Sequence, residues 1–334
     1  MPGRPDLTFF CELPIAELKS LFASTALIKK LRDLNANVSM GMQDFSPSRA
    51  EIMKKLTHAG IPVTAWLLLP KDEGYWTNLD TISATARVYG KFKQWSKEND
   101  LHWAAIGLDI EPSLQRMELL SHKWKSQVFY TLKRLFRGSY YRKAHSDLNS
   151  LINLIRSDGY AVETYNFPIV IEERNASSEI LARALGTPAL DADREVLMLY
   201  SSFFDHDGDA ILKSYARDAQ GIGLGSTGGG VELEDGQPLR SMRWIDLRRD
   251  LLIAKEFSDH LYIFSLEGCV QNEYLDRLLD FDWNTTIKVE PSAVAKVNVI
   301  RKLGQGLLWM LSHPEPILLL SFLMILFAQK EEQK

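Results

Sequence analysis

Short apolar runs recur along this chain, and each is followed by a stretch whose hydrophobic residues take helical spacing. The strand-type segments are residues 7–13 (LTFFCEL), 37–42 (NVSMGM), 61–69 (IPVTAWLLL) and 101–112 (LHWAAIGLDIEP), then 159–167, 195–203, 221–226 and 260–266. Between the first two, Leu18, Leu21, Ile28 and Leu31 lie at helical spacing over residues 15–34. Ser46 followed by Pro47 reads as a helix cap with an early proline. Strands that alternate with helices are parallel and need crossovers. Eight such units predict an α/β fold, a closed (β/α)8 TIM barrel over residues 1–290. An open doubly wound sheet would show a glycine-rich turn after its first strand. Here that position reads Cys11-Glu12-Leu13-Pro14.

Two stretches exceed a minimal barrel. Residues 113–158 form a long insertion after strand four. Its segment 121–145 carries Lys123, Lys125, Lys133, Arg134, Arg137, Arg142 and Lys143, with Trp124, Phe129, Leu132 and Phe136 at roughly helical spacing. This is a basic amphipathic helix, either a barrel helix with a solvated face or a helix for a membrane surface or anionic ligand. Residues 291–334 form a hydrophobic C-terminal tail. Residues 317–328 (ILLLSFLMILFA) hold no charge, but twelve residues fall short of the ~20 that span a bilayer. The tail is read as a membrane anchor that spans or lies on the bilayer, or as a helix buried against the barrel. Removing the residues after Pro291 is expected to shift an anchored protein to the soluble fraction.

Net charge is −4, which gives no preference for nucleic acid. The start, MPGRPDLTFFCEL, shows no charged leader with an apolar core and cleavage site, so the cytoplasmic side is expected. Cys11 and Cys269 are the only cysteines, and their register predicts two free thiols.

In such a barrel the chemistry sits at the C-terminal ends of the strands. Strand four ends in Asp109 and Glu111, which share a face because side chains alternate along a strand. Two carboxylates on one face of a buried strand must be paired, metal-bound or used. Glu12, Glu163 and Glu267 belong to other strand ends and are candidates for a second carboxylate or for contacts to substrate hydroxyls. Trp66, Tyr165 and Tyr200 offer rings that stack on a sugar face. Crowded like charges raise one another's pKa, as an acid catalyst near neutral pH requires.

The run Leu108-Asp109-Ile110-Glu111 resembles the end of the strand-four signature of family-18 chitinase-like glycoside hydrolases, and Met198-Leu199-Tyr200 is similar to their strand-six Met-x-Tyr. The resemblance implies a glycosidase with Glu111 as acid, Asp109 as its tuning neighbour and Tyr200 as a substrate contact. It covers two strand ends, and Ala104 and Gly107 stand where that pattern carries further aspartates. A glycosidase of this kind needs no cofactor and takes a carbohydrate.

The same residues admit other readings. Carboxylates could hold a divalent metal in a barrel enzyme acting on a phosphate-containing or lipid-linked substrate. The run from Gly223 to Gly230, with Gly228 and Gly229 at its centre, would then offer backbone N–H groups to the phosphate. Of the seven histidines only His206 falls just past a strand end, which weakens a zinc-type site. Asp109 and Glu111 would also serve as a salt-bridged pair in an inactive, membrane-tethered scaffold. Convergence of the strand-end carboxylates on one cleft separates enzyme from scaffold.

Overall fold

The computed structural model describes residues 4–113, 134, 135, 137–204, 206–230 and 241–313. Eight parallel strands close in chain order: β1 (Asp6–Cys11), β2 (Asn37–Met42), β3 (Val63–Leu67), β4 (Ala105–Ile110), β5 (Val162–Asn166), β6 (Arg194–Met198), β7 (Gly221–Gly225) and β8 (His260–Phe264). The ring closes where β1 pairs with β8, from Asp6 opposite His260 to Phe10 opposite Phe264. The expected (β/α)8 barrel is what the chain forms.

Alternation along the strands sorts the apolar residues into two cores. Leu7, Phe9 and Cys11 of β1, Val38 and Met40 of β2, and Ile106, Leu108 and Ile110 of β4 face the surrounding helices. Phe10, Trp66, Tyr165, Val196, Met198, Tyr262 and Phe264 fill the inside. Both cysteines are buried and free, as their register predicted. Glycines make room for the inner rings. A Cβ on Gly107 would lie 2.4 Å from the Tyr165 hydroxyl oxygen, and one on Gly221 would lie 3.0 Å from Val196. An aspartate at 107, as the resembled signature would have it, cannot coexist with the Tyr165 ring in this position.

The expected single helix over 15–34 is two, Ile15–Ala23 and Thr25–Asp33. Ser24 breaks it by leaving helical geometry and accepting the Leu27 N–H at 3.2 Å. Ser46 caps the helix Pro47–His58 as expected, accepting from Arg49 N. That helix carries Arg49, fully buried, whose guanidinium donates to Gly41 O at 2.9 Å, to Leu13 O at 3.2 Å and to Asp44. One side chain thereby ties the ends of β1 and β2. The strand expected to run through residue 203 stops at Met198, and a turn of 3-10 helix, Ser201–Phe203, takes the chain over the barrel rim.

Both stretches set apart from the barrel contribute to it. Gly138–Ser157 is the crossover helix between β4 and β5, burying Tyr141, Ala144, Leu148, Leu151, Ile152 and Ile155. Most of the basic segment before it lies outside the described residues. Pro291–Ser312 is a helix packed on the helices Val170–Asn175 and Gly208–Ala216. Its Arg301 bridges Glu172 at 2.6 Å and Asp218 at 2.7 Å, and lies 3.9 Å above the Tyr215 ring. A cut at Pro291 therefore removes barrel packing as well as the tail. Residues 317–328 lie outside the described residues. Among the described ones, no helix is long and apolar enough to cross a membrane.

Gly107→Ala is expected to lower stability by about 1–3 kcal/mol, because the added methyl collides with a ring locked inside the barrel. Thermal or urea unfolding measures this; an unchanged midpoint would show that the inner layer yields.

Candidate active site

A cavity of about 300 Å3 opens at the C-terminal end of the barrel, and Glu12, Asp109 and Glu111 line it together. Asp109 is the penultimate residue of β4, and Glu111 follows the strand's last residue. Their shared parity delivers both carboxyls to one side, as the sequence predicts. The loop after β3 fixes this segment. Thr77 N donates to Asp109 O at 2.9 Å, and the Asn78 side-chain amide donates to Glu111 O at 3.0 Å. Both residues are buried, and Thr77 forms an isolated parallel bridge with Ile110.

The carboxyls of Asp109 and Glu111 act on each other's protonation. Burial first, then the charges of Glu111 and Glu12, hold Asp109 well above the usual carboxylate range. Burial also raises Glu111, to about 7, and its neighbour Asp109 partly offsets that rise. Among the described residues, the buried Asp109 Oδ1 and Trp66 Nε1 have no hydrogen-bond partner. Such unpaired polar atoms in a cavity wall are suited to a ligand.

Glu12 follows β1 and is almost fully buried. Burial pushes its pKa up to about 8; the Tyr75 hydrogen bond opposes this, while Glu267 and Glu111 add to it. Tyr75 donates its hydroxyl to Glu12 and receives Gln43 Nε2 at 3.2 Å. The Tyr75 backbone has φ 69°, a left-handed conformation rare for an aromatic residue and costing about 1–3 kcal/mol. The strained residue is the one that holds the buried acid.

Glu267 does not line the cavity. It lies in the first turn of the helix Leu266–Gln271, not on β8, and its Oε1 accepts the Glu12 N–H at 3.3 Å. Burial raises it to about 7. It stands behind Glu12 and holds that residue's backbone.

Glu163, expected at the mouth, is at the opposite end of the barrel. It accepts from Arg194 Nη1 at 2.9 Å and from the Tyr262 hydroxyl at 2.7 Å, beside a separate polar cavity at the strand starts. Its parity is right but it sits too low on β5. Tyr165, two residues on, does line the floor of the upper cavity, while its hydroxyl pairs with Ser39 at 2.8 Å on the side away from the carboxyls.

Trp66, Trp76, Phe167, Met198, Tyr200 and Phe264 complete the walls. Tyr200 stacks on Phe264 with centroids 5.9 Å apart, and Phe203 meets it edge-on at 5.4 Å. Asp109, Glu111 and Glu12 all act on the Tyr200 hydroxyl, adding to the rise that burial causes. Phe10 and Phe264 were missed in sequence. The signal was there for Phe10, which shares Glu12's parity one step below it.

The glycine run departs from the anion-nest expectation. Ser226 N is bonded to Ser202 Oγ at 2.8 Å, Thr227 N to Phe264 O at 2.7 Å and Gly228 N to Ser226 Oγ at 3.1 Å. A Cβ on Gly229 would fall 2.6 Å from Glu267 Oε1, and Gly230 is the run's member in the cavity wall. The run lets the chain pass closely over Glu12 and Glu267. His206 is exposed and outside the cavity. Among the described residues, no group of three or more His, Cys, Asp or Glu side chains is arranged to hold a metal ion.

No protein-family model matches the chain, and no curated protein matches it. Solved structures do. The glycoside hydrolase domain of PgaB (BpsB) from Bordetella bronchiseptica matches with a TM-score of 0.51 at 10% identity, over 86% of this chain and all of that one. A GH18 chitinase from Pseudoalteromonas aurantia matches at 0.44 and 10% identity, over 82% of this chain and 99% of its own. An L-ribulose 3-epimerase matches at 0.43 and 12%, over 94% and 98%. The first of these shares its fold with this chain, a (β/α)8 barrel.

The folded protein keeps the Glu12 proton until about pH 8, whereas an unfolded chain releases it near 4.5. Stability therefore falls as pH rises between these values and levels off above them. Glu12→Gln keeps an acceptor for Tyr75 and removes the ionisation. It is expected to flatten that slope and to add about 1–3 kcal/mol at about pH 9, with little change at about pH 4. Urea unfolding of both proteins at the two pH values provides the comparison.

Proposed function

We propose that this chain is a glycosidase-type hydrolase in which Glu111 is the general acid and Asp109 supplies and tunes its proton. The observation that carries this reading is the convergence of Asp109, Glu111 and Glu12 on one aromatic-walled cavity at the C-terminal end of the barrel. Glu111 is the less buried of the two and stands at the open end, where a leaving oxygen would arrive.

The chemistry follows from where the proton is. A sugar bound in the cavity displaces water and raises the pair further, so Glu111 is protonated in the complex. Glu111 gives its proton to the glycosidic oxygen as the bond to the anomeric carbon breaks. The neighbouring Asp109 carboxyl passes its proton to Glu111, and the negative charge left on the pair faces the sugar cation. Water then adds to the anomeric carbon and returns its proton to the pair, closing the cycle. Trp66, Trp76 and Phe264 give flat apolar walls for a sugar ring, while Tyr200 and the protonated Glu12 offer hydrogen bonds to its hydroxyls. A glycoside hydrolase domain with the same fold agrees with a sugar-type ligand.

Glu111→Gln is expected to reduce turnover of oligosaccharides by about 10²–10⁴-fold without altering the unfolding midpoint. Nitrophenyl glycosides, whose leaving group needs no proton, should retain far more of their rate. Equal turnover by wild type and variant on a hydrolysed oligosaccharide would refute the assignment. So would a wild-type protein that cleaves no glycoside in a broad panel.

A further inference from the structure

A surface helix of a globular protein buries one apolar face and shows solvent a polar one. The helix Pro291–Ser312 breaks this rule. Val294, Val297 and Leu308 are buried on its inner side. Its outer side carries Val299, Ile300, Leu303, Leu307, Met310 and Leu311, with Leu303 68% and Ile300 59% exposed. At 100° per residue these six fall within about a third of the circumference, so they form one stripe about 18 Å long. Trp309, also exposed, lies about 80° round the helix from the stripe. From the structure we infer that this stripe is a docking surface for a lipid bilayer, which the barrel meets side-on.

Charge and continuity select lipid over another protein. The helix holds Lys296, Arg301 and Lys302 and no acidic residue; Arg301 is bound to Glu172 and Asp218 on the barrel side and Lys296 to Asp207, while Lys302 is exposed. Between Glu290 and Glu331 the only acid is Glu315, so the segment is cationic and suits an anionic headgroup layer. Soon after the stripe the sequence enters the twelve uncharged residues 317–328, too short to cross the ~30 Å hydrocarbon core but apolar enough to enter its edge. A tryptophan beside an apolar stripe suits the headgroup boundary. Six side chains in a narrow line also fall short of the roughly 800 Å2 per partner that a standard protein interface buries.

The test uses the full chain and Leu303→Asp/Leu307→Asp, with mixed phosphatidylcholine–phosphatidylserine vesicles. Wild type is expected to co-sediment with the vesicles. The double variant, losing two lipid-facing leucines worth about tenfold each, should partition about a hundredfold less. Because both positions face outward, its unfolding midpoint should match wild type; if it does not, Leu303→Gln/Leu307→Gln serves with the same expectation of weaker binding. Equal vesicle binding by wild type and a folded variant overturns the proposal. So does a wild type that ignores vesicles and sediments as a dimer that the substitutions dissociate, which would make a second copy the occupant.

Discussion

The pairing of β1 with β8 closes the ring, joining the first strand of the chain to the last. Phe10 opposite Phe264 sets the register, and the carboxyl of Glu267 reaches the Glu12 backbone across 255 residues of sequence. Parallel strands reach each other only through crossovers, and this ladder spans the longest stretch of sequence of any in the barrel. Without it the Glu12 backbone loses its Glu267 partner, the glycine run has nothing to pass over, and Glu12 loses the burial that raises its pKa. The acid–base character of the cavity is in this sense a property of ring closure.

Closure also sets an opposition between stability and chemistry. Each of Glu12, Asp109 and Glu267 would be more comfortable in solvent, and burial raises all three. Tyr75 sits in a left-handed conformation to hold one of them. The barrel offsets these penalties with two dry cores and with Arg49, whose buried guanidinium is fully engaged by two carbonyls and Asp44. A protein that kept such strain for packing alone would gain by replacing the acids with leucines.

Much of this was legible in the sequence, and the failures share a cause. Alternation tells which face a residue takes, so the barrel, the Asp109–Glu111 pair and the free cysteines followed from counting by twos. It does not tell depth. Glu163 has the parity of Tyr165 yet lies a layer lower, among Arg194 and Tyr262, because β5 begins at Val162. Glu267 was counted along a strand that had already ended at Phe264. The glycine run looked like a phosphate cradle because glycine frees the backbone, but neighbouring serines and Phe264 take its N–H groups, and only tertiary contacts reveal that. The described parts of the two stretches set apart from the barrel, Gly138–Ser157 and Pro291–Ser312, pack on it through buried residues that were quieter signals than the charge and hydropathy around them.

The ring of Tyr165, tucked over Gly107 and tethered to Ser39, deserves a last deduction. Together with Phe10 and Tyr262 it fills the waist of the barrel, between the carboxyl-lined cavity above and the Glu163–Arg194 cavity below. Nothing the size of a sugar can pass through that plug. Among the described residues the upper cavity is therefore a cup and not a channel, filled and emptied from its rim.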